Sequence, residues 1–314
     1  MSADVVICEC FARDGLQHEP DFVATADKIA LIDAFTEAGF PRIEATSYSH
    51  PGKVPAFGDA GDLLAGIRRR PGVYYKATVP NLTGVERAMA DLAAGRGANE
   101  VSLLASATEA HTQRNLGTSR EGQWARIVEM VEAAGDRFRL VGVISVALGC
   151  PFEGEVPPER VVEDVLRFAK HGVGIVTIGD TTGLGTPVKV GQLFRLLAEA
   201  APNVICVGHF HDTRGVGIAN CVAAYEAGCR HFDSSFGGVG GHPTKIRYGS
   251  GRAGNVATED LVNLFEMDGI STGLDLDKVM VASRLCEQVL GRQLDSKVAR
   301  AGFAASVAGV HENA

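Results

Sequence analysis

Short apolar runs alternate with stretches whose apolar residues recur at helical spacing, from one end of the chain to the other. The runs Val5–Cys10, Arg42–Ala45, Val73–Val79, Glu100–Leu104, Leu140–Ala147, Ile175–Ile178, Val204–Gly208 and His231–Asp233 predict strands. Between them, Thr25–Ala38, Pro158–His171, Val188–Ala201 and Gly215–Ala227 carry the 3.6-residue period of helices. Eight such units in alternation predict an α/β fold with a parallel sheet covered on both faces. Closing the eight strands gives a (β/α)₈ barrel. A doubly wound open sheet is the structural alternative. The barrel is preferred because polar residues with chemical potential follow many of the strands, not only the two beside a switch point. No linker rich in Pro, Gly or Ser interrupts the pattern, so residues 1–314 read as one barrel domain with a helical extension from about residue 270. The amphipathic stretch Asp277–Leu290 in that extension is expected to pack over the barrel or at a subunit contact.

Charge narrows the partners. A net charge of −8 leaves no basic face for nucleic acid or an anionic membrane surface. The one basic cluster, Arg68-Arg69-Arg70, reads as the solvated end of a helix. No run approaches the 18 or more apolar residues of a membrane span. The N-terminus enters Val5-Val6-Ile7 without a basic segment or a cleavage site, and the seven cysteines form no CxxC pair. Reduced thiols in the cytoplasm are the expectation.

The strongest local signal is His209-Phe210-His211-Asp212 at the end of a strand. Residues two apart on a strand point to the same side, so both imidazoles face one site and suit a metal. Imidazole with oxygen ligands leaves Mg²⁺, Mn²⁺, Fe²⁺ and Zn²⁺ open. Arg13-Asp14-Gly15-Leu16-Gln17 follows the first strand: Asp14 offers an anionic ligand, and Arg13 a guanidinium for developing negative charge. Glu44 is a carboxylate among apolar neighbours on the second strand, where burial requires a partner or a function. Asp180 ends the sixth strand in Gly179-Asp180-Thr181, as a functional group or a turn residue. After the last strand, Gly237-Gly238-Val239-Gly240-Gly241-His242-Pro243 is a glycine-rich loop that can carry His242 to the site.

These motifs resemble one family. Val5–Gln17, Ile43–Ser47, Pro80-Asn81-Leu82, Ala147–Gly154, Gly179–Thr181, His209–Thr213 and Gly254–Asp260 are similar, in order and to about Gly302, to the 3-hydroxy-3-methylglutaryl-CoA lyase family. That family is a branch of the DRE-type TIM-barrel metallolyases. The resemblance implies a divalent cation, Mg²⁺ or Mn²⁺, with Asp14, His209, His211 and Asn255 as its ligands. It implies Arg13 as the group that stabilises an acyl-CoA enolate oxygen, Gln17 as a substrate contact, and Glu44 and Asp180 as groups acting on the substrate hydroxyl or positioning it. A homodimer is the family's usual assembly.

The implied reaction is carbon–carbon cleavage of a 3-hydroxy-3-alkyl acyl-CoA into an acyl-CoA and a keto acid. It needs a base for the C3 hydroxyl, a cation that lowers the pKa of that hydroxyl, an electron sink, and an acid for the enolate carbon. The lyases carry a cysteine acid in a Gly-Gly-Cys-Pro loop, whereas this chain has Gly240-Gly241-His242-Pro243 in a longer loop. Histidine donates a proton near neutral pH, so His242 is the expected acid. Cys150, on another loop, is expected to have a structural or positioning role. The altered loop motivates two alternatives: an aldolase or condensing synthase acting on another acyl-CoA or a 2-keto acid, and a non-catalytic ligand-binding barrel.

Overall fold

The structure, a computed structural model, describes residues 3–241 and 254–304. Eight strands run in chain order: β1 Val6–Glu9, β2 Arg42–Ser47, β3 Tyr74–Val79, β4 Glu100–Ser106, β5 Arg139–Ser145, β6 Ile175–Asp180, β7 Ile205–Phe210 and β8 His231–Ser234. Each pairs in parallel with the next, and β8 returns to β1 with Cys8 beside Asp233. The barrel therefore closes, and the open doubly wound sheet is ruled out. Strands β2, β4, β6, β7 and β8 run further at their C-terminal ends than the apolar runs predict. Ser47, Asp180 and Phe210 are still paired, so Glu44 and His209 project from rigid strand rather than from loops.

The helices are α1 Thr25–Ala38, α2 Ala60–Gly66, α3 Leu82–Ala93, α4 Glu109–Leu116, α5 Arg120–Ala134, α6 Pro158–Lys170, α7 Pro187–Ala200, α8 Gly217–Glu226, α9 Thr258–Met267, α10 Leu276–Leu290 and α11 Val298–Ala301. They enclose the apolar core between barrel and helix ring, which includes Ile7, Ile43, Ala77, Val101, Leu103, Val176 and Ile178. The extension folds back on the barrel: α10 packs against α1 and the turn after β8. There Leu294 fills the space beside Gly237, where an added Cβ would lie 2.2 Å from the Leu294 Cβ. No helix among the described residues is long and apolar enough to cross a membrane.

The basic cluster directly follows the C-terminal end of α2 and is exposed, as expected of a solvated helix end. It lies in the connection from α2 to β3, where Arg68 pairs with Asp33 and Arg69 donates to the carbonyls of Leu64, Arg96 and Gly97. All three arginines remain exposed.

The inside of the barrel is unusually polar. Barrel interiors are commonly filled by branched apolar side chains; here Val141, Ile175 and Val207 form a small apolar layer. Elsewhere Arg42 and Arg139 both clamp the fully buried Glu100. Lys76, Glu44 and Asp233 form a charged layer nearer the mouth. Charges this deeply buried persist because each has a partner of opposite sign.

Candidate active site at the barrel mouth

Two turns at the C-terminal ends of β1 and β8 carry the site, and one cluster locks both. The N–H groups of Arg13, Asp14 and Gly15 all donate to the Cys10 carbonyl, winding residues 11–15 into a single wide turn. Phe11 in that turn and Phe236 in the β8 turn both pack against Phe35 of α1, with centroid separations of 6.3 and 5.1 Å. Glu9 fastens the same two turns: its Oε1 accepts from Phe11 N at 2.9 Å and Phe236 N at 3.2 Å. Its Oε2 lies 2.5 Å from the Thr258 hydroxyl. Burial pushes the Glu9 carboxyl up to about 8, so the acid is neutral near pH 7 despite these hydrogen bonds.

The Arg13 guanidinium is pinned across the mouth. Nε donates to Glu44 Oε1 at 2.7 Å, and Nη1 donates to Asp14 Oδ1 at 3.0 Å and Gln17 Oε1 at 3.2 Å. Glu44 also accepts from Thr78 Oγ1 at 2.9 Å and lies 3.6 Å from Lys76 Nζ. Burial would raise the Glu44 carboxyl, but Arg13 and Lys76 outweigh it and hold it below the usual carboxylate range. Burial opposes ionisation of Asp14 too, and there Arg13 and the two histidines win.

His209 and His211 turn the same way, as the two-residue spacing predicts. Their Nε2 atoms face each other at 3.3 Å, and Asp14 completes a group whose ligand atoms all lie within 4.8 Å. Two imidazole lone pairs cannot converge so closely without a proton or a cation between them, so the donors fit a divalent ion. His209 Nδ1 lies 3.3 Å from Asp233 Oδ2, an outer-shell contact that commits Nε2 to ligation. Burial lowers the proton affinity of His209, but Asp233 and Asp14 outweigh it and leave the pKa raised. Burial, followed by the neighbouring His209, pushes His211 down to about 4.

Asn255 reaches this group through backbone pairing. The segment around it bridges the ends of β7 and β8: Asp212 N donates to Gly254 O, Val256 N to Phe210 O and Ser235 N to Val256 O. Asn255 Nδ2 then donates to Asp14 Oδ2 at 2.7 Å and Val239 O at 3.1 Å. Gly240 passes so close, at φ +140°, that a Cβ there would lie 2.2 Å from Asn255 Nδ2. Only glycine permits that approach.

Arg13, Asp14, Gln17, Glu44, His209 and His211 line one cavity of about 1070 Å³, counting its open mouth. Asp180 is not among its lining residues. Its carboxylate turns into the following loop, accepting from Leu184 N at 2.9 Å and Gly185 N at 3.1 Å. Burial, reduced by those two amides, raises it to about 6. His242 lies outside the described residues, although Gly241 beside it lines the cavity. Cys150 sits under Thr108, whose hydroxyl donates to its sulfur at 3.1 Å. Sequence reasoning missed Lys76, Thr78 and Asp233. A lysine on an apolar strand, in Tyr75-Lys76-Ala77, is the signal that could have found the first of them.

A family model described as HMGL-like matches residues 4–286. The mitochondrial hydroxymethylglutaryl-CoA lyase of Homo sapiens is 40% identical over 298 residues, covering 95% of this chain and 89% of its own length. A Pseudomonas aeruginosa lyase named for 3-hydroxy-3-isohexenylglutaryl-CoA and hydroxymethylglutaryl-CoA is 39% identical, covering 95% of this chain and 96% of its own. Among solved structures, an HMG-CoA lyase from Acinetobacter baumannii, in complex with coenzyme A and 3-methylmalate, matches with a TM-score of 0.88. It is 38% identical and covers 96% of this chain and 95% of its own. The matching family model, the extent of these identities and the shared closed barrel lead to one conclusion: the chain belongs to the HMGL-like family.

Proposed function

We infer that this protein is a divalent-metal-dependent carbon–carbon lyase. It cleaves a 3-hydroxy-3-alkyl acyl-CoA, 3-hydroxy-3-methylglutaryl-CoA or a close analogue, into an acyl-CoA and a keto acid. The observation that carries the reading is the convergence of Arg13 with Asp14, His209 and His211 on one cavity. Asp14, His209, His211 and Asn255 would hold the ion, with Mg²⁺ or Mn²⁺ the fitting choices for such oxygen and imidazole donors. When bound, it supplies Lewis acidity to the substrate's hydroxyl and carbonyl oxygens.

The chain's own groups do the rest. Glu44, kept ionised by Arg13 and Lys76, accepts the C3 hydroxyl proton. As C3=O forms, the C2–C3 bond breaks and its electron pair moves into the thioester enolate. Arg13 Nε and Nη1 are held by Glu44, Asp14 and Gln17, which fixes the guanidinium plane and leaves Nη2 for the enolate oxygen. His242 delivers a proton to C2, and acyl-CoA leaves with the keto acid. Asp180, engaged with Leu184 and Gly185, acts by positioning the loop next to the histidines rather than by moving a proton. The seven free thiols suit a cytoplasmic setting, and a homodimer follows the family pattern.

The test is a turnover assay on purified protein with Mg²⁺, Mn²⁺ or chelator. It compares 3-hydroxy-3-methylglutaryl-CoA, analogues with longer C3 alkyl groups, and the corresponding free acids. Thioester cleavage that stops on chelation supports the lyase. Turnover of free acids alone, or of the reverse condensation alone, replaces it with the aldolase or synthase reading.

A further inference from the structure

Below the mouth, the barrel interior holds a second convergence of ligand atoms. Cys8 and Cys10 are two apart on the β1 side of the barrel, so their side chains point the same way, and Cys8 sits beside Asp233 in register. The three side chains bring their ligand atoms within 4.8 Å of one another, and all are buried. The sulfurs lie 4.0 Å apart. Two thiolates on one tetrahedral ion, each bonded at ~2.3 Å, stand roughly 3.8 Å apart, so the spacing needs almost no adjustment.

Asp233 makes the arrangement more than a pair of packed thiols. Its Oδ2 faces His209, but Oδ1 is buried with no hydrogen-bond partner. A buried carboxylate oxygen without a partner is costly and calls for an explanation. Small apolar side chains at positions 8 and 10 would fill the same space, yet they would leave that oxygen equally stranded. A cation seated against both sulfurs satisfies it.

We propose that Cys8, Cys10 and Asp233 form a second cation site, selective for a soft divalent ion such as Zn²⁺ or Cd²⁺, one layer beneath the His209–His211 group. Thiolate ligands set its preference, since they favour Zn²⁺ and related soft ions while the upper site of oxygen and imidazole donors, without sulfur, suits Mg²⁺ or Mn²⁺. Charge balances as well. Two thiolates and one carboxylate are matched by the divalent ion and the Lys76 ammonium, 3.9 Å from Asp233. Each thiol releases its proton on binding. Entry is through the known cavity, whose wall includes both Lys76 and Asp233.

The experiment titrates the reduced, folded protein with Cd²⁺ in excess Mg²⁺ and follows the ultraviolet thiolate-to-cadmium charge-transfer band. This band reports sulfur ligation alone and needs no turnover, so it stands or falls separately from the lyase reading. Saturation at one Cd²⁺ per chain is expected, with the band lost in Cys8→Val/Cys10→Val. Cys10→Ser, which keeps the volume and protects against a folding artefact, is expected to weaken Cd²⁺ binding by ~10–100-fold or more. Absence of the band in wild type overturns the proposal. So does a band that survives unchanged in the serine variant, because other cysteines would then be its source.

Discussion

Replacing Arg13 by lysine separates charge from geometry at the centre of the site. In the wild type one planar group makes three contacts at once: 2.7 Å to Glu44, 3.0 Å to Asp14 and 3.2 Å to Gln17. A lysine ammonium is a single point that cannot span Glu44 and Asp14 while also presenting a donor to substrate. It will settle between the two carboxylates. The ground state is then little changed, because Glu44 keeps Lys76 as a second cation and Asp14 keeps Asn255. What is lost is the donor aimed at the enolate oxygen, worth about 2.7–4 kcal/mol in comparable oxyanion sites, or ~10²–10³ in kcat. Steady-state kinetics on the thioester at saturating Mn²⁺ should show kcat falling by that factor, with KM and Mn²⁺ affinity within about threefold of wild type. A variant with wild-type kcat refutes the role given to Arg13. A variant that loses Mn²⁺ instead shows that the guanidinium serves the ligand Asp14, not the enolate.

Asp233→Asn removes the charge that commits His209 Nδ1. Mn²⁺ affinity, read by calorimetry, should weaken by ~10–100-fold, and unaltered affinity would remove Asp233 from the site. His242→Ala should reduce turnover by ~10²–10⁴ while leaving Mn²⁺ binding intact, as expected for a lost acid. His242→Cys should restore cleavage of 3-hydroxy-3-methylglutaryl-CoA; an inert cysteine variant beside an active wild type would mean that a different substrate is used. Glu9 predicts a pH effect on stability. Its folded pKa, about 8, exceeds the ordinary 4.5, so the native state holds a proton that the unfolded chain has released between those values. Its favourable contribution is therefore complete below about pH 4.5 and is lost as pH rises towards 8. In urea unfolding, Glu9→Gln should flatten that decline, and parallel wild-type and variant pH profiles would contradict the assignment.

The eight strand–helix units, the pairing of His209 with His211 and the placement of Arg13 and Asp14 just after the first strand were all legible in the chain, because each rests on local spacing. A period of two puts both imidazoles on one side wherever the strand goes. Barrel closure was also foreseeable, but its proof is the β8–β1 pairing, which joins residues more than two hundred positions apart. The contents of the barrel were not legible. A strand buried on both faces shows no alternation that marks which side is inside, so Lys76, Glu100 and Asp233 could not be assigned inward until the strands closed. The contact between Asn255 and Asp14 likewise exists only because residues 254–257 bridge the ends of β7 and β8. Asp180 shows the same limit from the other side. Its position at a strand end marks it as chemical, yet two loop amides compete for its carboxylate, and that competition is decided by the path of the loop in three dimensions.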